Sequence, residues 1–323
     1  AHLTLLYFFF IFVHFLVFST ISAGGIDVVV ENAKALPGYL SLTASYIEDT
    51  GKSEPYNLLH IITTLSWGLG YFGMPHILLR FMAIEDEKKL KLSRRVATIW
   101  VVISLFVAVF IGVIGYTMSK VGALEMLTGS NSETIIVKIS ALLSQHGVIF
   151  ALLAGVILAG ILASTMSTSD SQLLAASSAV SSDILGAFRK DSSNKNGSMA
   201  AARITLLVIS VVAAFIARNP DSSVFAIVSF AWAGFGAAFG PVVLFSLFWK
   251  RTNKWGALAG MVCGGSMVFI WKYLIRPLGG IWNIYELLPA FLIACAAIVI
   301  VSLLTPKPSK EIEEEFDRVA QMK

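Results

Sequence analysis

Eight stretches of this chain are apolar for long enough to cross a lipid bilayer as helices: residues 3–23, 58–81, 96–118, 148–180, 201–217, 224–249, 256–275 and 284–304. A hydrocarbon core about 30 Å thick takes about 20 residues of helix to cross. Inside lipid an open strand leaves its backbone polar groups unpaired, so each run is expected to be helical. The fold class this predicts is all-α, a polytopic membrane helix bundle. Composition agrees: 56% of the 323 residues are hydrophobic, 14% are charged and the mean hydropathy is +0.78. Soluble domains carry about 25% charged residues.

The net charge of +4 raises the question of a nucleic-acid partner, and the placement of the charges answers it. With Arg80, Arg203 and Lys272 at the run ends counted to the loop beside them, successive connections hold two, six, two, four, one, three and two Lys and Arg, and the C-terminal tail holds four. Basic residues that peak at every second loop follow the positive-inside rule. The loops 80–95, 189–203 and 250–254 and the tail 306–323 are therefore expected on the cytoplasmic side. The charge reports orientation in a membrane, with no nucleic acid implied. Cys263 and Cys295 lie in apolar runs and read as packing residues. Residues 3–23 lack a basic n-region and a small-residue cleavage site, so they do not read as a signal peptide. With no initiator Met, the sequence reads as part of a longer protein.

The first outer connection, 24–57, sets five acids against Lys34 and Lys52 and has room for short helices. The connection 119–147 is of similar length and is expected to carry an amphipathic helix at the interface. Residues 190–198 (KDSSNKNGS) read as a solvated turn-rich loop. The tail is acidic and helix-prone. No internal repeat is evident.

Three blocks stand out chemically. The run 58–81 is interrupted by Gly68, Gly70, Gly73 and Pro75. Proline removes a backbone donor, and glycine loosens a helix. In transporters such interruptions mark spans that unwind near the midplane, where exposed peptide groups meet substrate and ions. Trp67, Tyr71 and Pro75 are four apart and would share one helix face. A kinked packing helix explains the same residues. The second block, GILASTMSTSDSQLL at 160–174, places Ser164, Ser167, Thr168 and Ser171 on one stripe. Such hydroxyls commonly pack and hydrogen-bond between membrane helices; they also offer oxygens to a hard cation. Asp170 is a carboxylate within a span, a functional hypothesis by default and a candidate for an ion pathway. The third block, 229–265, spaces Gly236 and Gly240, then Gly256, Gly260 and Gly264, for close helix contact, and reads as scaffold. There is no phosphate loop, HExxH or paired-cysteine motif, and the histidines are scattered, so no enzyme is indicated.

WGLGYFGMPHILLRF, MSTSDSQLL and AWAGFGAAFGPVVLF with its downstream GALAG resemble, in order, the sodium:solute symporter family, and within it the bacterial branch that carries proline. The resemblance covers essentially the whole chain. It implies a thirteen-helix protein with a leucine-transporter-like inverted-repeat core, of which this chain holds the last eight helices. Residues 1–305 would form the membrane domain and 306–323 a cytoplasmic tail. It places substrate at Trp67, Tyr71 and Pro75. It places sodium on the Ser167 and Thr168 hydroxyls and the Ser164 carbonyl, with the remaining ligands on a first core helix outside this chain. The implied partners are proline, sodium and the lipid bilayer of a bacterial inner membrane. Alternatives are a relative carrying another solute, such as pantothenate or a sugar, and a transporter-like membrane sensor; only a short tail follows Leu304 here. A passive channel fits less well, since it calls for a ring of repeated polar pore residues.

The alternating charge predicts sidedness. In a cysteine-free background of the full-length protein, single cysteines at Lys88 and Asn196 should react with impermeant thiol reagents from the cytoplasmic face only. One at Ser53 should react from the outer face only. Labelling of Ser53 and Lys88 from one side would overturn the orientation.

Overall fold

The computed structural model describes residues 13–48, 50–184, 195–218 and 223–321. The first apolar run enters as α1 (Val13–Ser22), and α2 (Ile26–Ala35) follows at a bend of 69°. Gly24 and Gly25 make that bend with φ of 92° and 102°, values that only glycine adopts without strain. A β-hairpin follows, β1 (Ala44–Ile47) and β2 (Lys52–Pro55), turned at Gly51 with φ 63°. The outer connection, which has room for short helices, holds one helix and a hairpin.

The run 58–81 is four pieces: α3 (Leu58–Leu65), α4 (Trp67–Gly70), a 3-10 turn (Tyr71–Gly73) and α5 (Pro75–Met82). The chain continues with α6 (Leu90–Lys120), α7 (Ile135–Ser144) and α8 (Val148–Ser178), the last running into a π-helical turn at Ala179–Ile184. Then come α9 (Lys195–Ile216), α10 (Val224–Phe248), α11 (Lys254–Ile270), α12 (Leu287–Leu304) and α13 (Lys310–Gln321).

Among the described residues six helices are long and apolar enough to cross a membrane, seven if α1 and α2 count as one bent span. Eight apolar runs were candidates. The difference lies in 58–81, which no single helix covers, and in 3–23, whose first ten residues lie outside those described. Much of the 190–198 loop also lies outside them, and its last four residues already belong to the first turn of α9. α8 and α9 leave nearly all of their apolar surface exposed within the chain. Helices this long and apolar suit a hydrocarbon surrounding, and the protein is a multi-pass membrane protein.

The chain divides into two compact units, 1–54 with 85–223, and 55–84 with 224–323. In the first, Phe15, Val29, Ile111, Ile114, Met118, Ile139, Leu143 and Ala154 form the core. The helix expected in 119–147 is α7, and it is built into that core through Ile139 and Leu143.

In the second unit α10, α11 and α12 pack on Ala233, Ala237, Val268, Leu287, Ala290 and Phe291. Glycines set the spacing. A Cβ at Gly264 would overlap the Ala237 carbonyl, one at Gly260 the Ile298 side chain and one at Gly256 the Ser302 hydroxyl. The α10–α11 turn is tied to the chain after α12. Asn253 accepts from Gly256 N at 2.9 Å and donates to Thr305 Oγ1 at 2.7 Å and Pro306 O at 2.8 Å, while Arg251 donates to Thr305 O at 2.8 Å. Lys250 pairs with Asp317 of α13 at 2.5 Å, and that hydrogen bond holds its ammonium above the ordinary lysine range.

Candidate functional site

The interruption of 58–81 has three local causes. Asn57 caps α3 by accepting from His60 N at 2.9 Å, which fixes where the helix starts. Ser66 joins α3 to α4 and turns its hydroxyl back onto Thr63 O at 2.6 Å. Met74 is extended, φ −84° and ψ 112°, as a residue before proline prefers, and Pro75 then begins α5 at the position where a missing N–H costs nothing. Because Pro75 has no N–H, the Tyr71 carbonyl cannot receive a helical bond from it.

The sequence pattern placed Trp67, Tyr71 and Pro75 on one helix face. Trp67 and Tyr71 do converge, since both rings meet Trp232 of α10, at centroid distances of 6.1 and 4.8 Å. Pro75 does not continue that face, because the extended Met74 redirects the chain before it. Trp67 is heavily engaged: it stacks on Phe225 at 5.5 Å and on Tyr285 at 5.3 Å, and its carbonyl accepts from Trp232 Nε1 at 3.0 Å. Tyr71 has one side on the Trp232 edge and is 56% exposed, which makes it the ring best placed to meet a ligand.

The glycines do something the pattern did not show. A Cβ on Gly70 would overlap the Trp232 indole, and one on Gly73 would overlap the Phe235 carbonyl and reach Gly236 Cα at 2.8 Å. From the other side, a Cβ on Gly236 would sit 2.7 Å from Gly70 Cα. The broken segment therefore lies backbone to backbone on α10. Gly68 alone in this stretch faces open space. Trp232 and Phe225 fall in or beside the block read as scaffold, where the glycine spacing drew attention away from them. Tyr285 carries no signal in the sequence at all.

The hydroxyl stripe lies on α8, in the first unit, and residues 161–172 are exposed throughout. Thr165, Thr168 and Ser171 each donate to the carbonyl one turn back, on Ile161 at 3.0 Å, Ser164 at 3.2 Å and Ser167 at 3.0 Å. This is intrahelical back-bonding rather than glue between helices. It brings the Thr168 hydroxyl and the Ser164 carbonyl, two of the expected ion ligands, to one spot on the helix surface. Asp170 is exposed on the same turn. Among the described residues no three His, Cys, Asp or Glu side chains gather as a metal site, so an ion on α8 would be held by hydroxyl and carbonyl oxygens.

The model of the sodium:solute symporter family matches residues 3–264. The chain is 40% identical over 271 residues to the sodium/proline symporter of Salmonella typhimurium, covering 84% of this chain and 52% of that protein. It is 39% identical over 254 residues to the osmoregulated proline transporter OpuE of Bacillus subtilis, covering 79% and 50%. The Haemophilus influenzae sodium/proline symporter is 40% identical over 262 residues, with coverage of 80% and 51%. The chain thus spans about half the length of the curated relatives it matches.

The backbone contact makes a testable distinction between Gly68 and Gly73, five positions apart. Gly73→Ala should destabilise the full-length protein by about 1–3 kcal/mol, the usual cost of overpacking, and lower its melting temperature in detergent. Gly68→Ala, which meets nothing, should be neutral or stabilise by up to about 1 kcal/mol, because alanine favours the helix. Equal melting temperatures for both variants would remove Gly73 from the contact.

Proposed function

The chain belongs to the sodium:solute symporter family, and from that premise we propose that the whole protein couples inward movement of sodium to the uptake of proline across a bacterial inner membrane. The observation that carries this reading is the interrupted segment at Trp67–Pro75. It puts an exposed aromatic ring, Tyr71, beside a carbonyl that has lost its helical donor, between the two glycines, Gly70 and Gly73, that lie against α10. Proline presents an apolar ring, a carboxylate and a secondary ammonium. The Tyr71 ring suits the pyrrolidine, and peptide groups around the break suit the charged end. Trp67, locked among Phe225, Trp232 and Tyr285, holds Tyr71 in place from one turn before, and Pro75 maintains the break. The names of the relatives, sodium/proline symporter and proline transporter, support proline over pantothenate or a sugar.

Sodium is assigned to α8. The Thr168 and Ser167 hydroxyls and the Ser164 carbonyl offer oxygen ligands to a hard cation, and the remaining ligands belong to parts of the whole protein beyond this chain. An ion between Thr168 and Ser164 replaces the hydrogen bond they now share. Asp170 marks the route by which the ion leaves. Residues 1–305 form the membrane domain, with the tail 306–323 in the cytoplasm, as the loop charges require.

Sodium-dependent uptake of labelled proline by the full-length protein in membrane vesicles tests the reading directly. Loss of one aromatic contact is worth about 0.5–1.5 kcal/mol, so Tyr71→Ala and Trp67→Ala should weaken apparent proline affinity roughly 2- to 13-fold. Proline affinity that stays at wild type in both would return the segment to a packing role.

The ion assignment has its own test. Ser167→Ala and Thr168→Val should raise steeply the sodium concentration for half-maximal uptake. Proline affinity at saturating sodium should move much less, because the two ligands act on each other through a linked equilibrium. Thr168→Ser should stay close to wild type. A membrane hydrogen bond is worth about 0.6 kcal/mol on average, so a stripe that only packs predicts a small loss indifferent to sodium. Sodium titrations that overlay for wild type and both hydroxyl-deleting variants would take the ion away from α8.

A further inference from the structure

The connection between α11 and α12 contains the most deeply buried carboxylate among the described residues. Glu286 is 1% exposed, directly before α12, and Arg276 pairs with it through Nη1 at 2.9 Å. The same guanidinium donates Nε to Asn283 Oδ1 at 3.1 Å. One arginine thus staples the start of the connection to its end. A charge buried this far is kept only where its partner is held in good geometry, since removing one partner strands the other. The transport reading above gives these residues no task.

What the staple holds is the neighbour of Glu286. Tyr285 is 5% exposed and lies parallel to Trp67, with centroids 5.3 Å apart and planes at 13°. Its hydroxyl donates to Ser229 O on α10 at 2.6 Å, which fixes the ring in rotation as well as in position. Phe225 stacks on Trp67 too, at 5.5 Å, and Trp232 holds the Trp67 carbonyl. The indole is therefore bounded by residues from α10 and from the α11–α12 connection. We propose that Tyr285, anchored by the Arg276–Glu286 pair, is a positioning residue that sets Trp67 and, through Trp67 and Trp232, the attitude of the Tyr71 ring. The proposal rests on the reading of Trp67 and Tyr71 as the substrate region. It adds to that reading a control point in a connection far along the chain.

A purely structural tyrosine and a positioning tyrosine differ in what they change. In the full-length protein Tyr285→Ala should raise the KM for proline about 2- to 13-fold, the range expected for one lost aromatic contact, with the maximal rate per molecule unchanged. Tyr285→Phe keeps the stack and should restore most of the wild-type KM. Tyr285→Leu, which keeps most of the volume without the aromatic face, should behave as the alanine variant does and serves where alanine lowers the amount of protein. A second arm needs no transport. In a cysteine-free background of the full-length protein, Tyr71→Cys in detergent should react with a neutral maleimide several-fold faster when Tyr285 is alanine or leucine. A cysteine at Lys307, in the tail, should react at the same rate in either background. Absence of proline uptake by the wild-type protein would overturn the transport reading and leave the labelling arm to decide the positioning. Unchanged KM together with unchanged labelling at position 71, in protein of normal amount, would overturn the positioning role. So would a fall in amount and maximal rate with KM unmoved.

Discussion

Two backbones meet without side chains between them where Gly70 and Gly73 lie against Gly236 of α10. In a membrane the interruption of a helix is expensive, because lipid offers no partner to the peptide groups that the break releases. Here the break is pressed against another helix at a separation that a methyl group would forbid. The contact brings the Trp67 carbonyl to the Trp232 indole and shields this part of the break. The extended Met74 and the missing donor of Pro75 follow directly on Gly73, at the end of this contact. Pro241, one residue after Gly240 and within α10, repeats the theme on the facing helix.

The aromatic cluster follows from the same approach. Once the segment is that close, Trp67 must fill the space above it, and Phe225, Trp232 and Tyr285 leave it little freedom. Tyr71 escapes this enclosure because the 3-10 turn carries it past the edge of Trp232. A rigid, packed ring one turn before an exposed ring is a sound way to hold a ligand contact, since the immobilised neighbour removes motion that binding would otherwise have to freeze.

The α8 stripe solves a different problem. Its Thr168 and Ser171 hydroxyls bond to carbonyls of their own helix, as does the neighbouring Thr165. The substrate candidates belong to one compact unit and the stripe to the other.

The sequence by itself determined the membrane-spanning class, since runs of about 20 apolar residues admit few other structures. It also located the break in 58–81, because glycine and proline act on the backbone next to them, and the stripe on α8, because helical spacing is local. Its error over Pro75 came from carrying that spacing across Met74, whose extended backbone ends the helix. What tertiary structure decided was everything that depends on a partner distant in sequence. Gly70 and Gly73 read as looseness until α10 lay against them. Trp232 read as scaffold until its indole reached the Trp67 carbonyl, 165 positions away. Tyr285 had no pattern to announce it, because one ring in a short connection has no period, and its meaning comes only from the indole it faces.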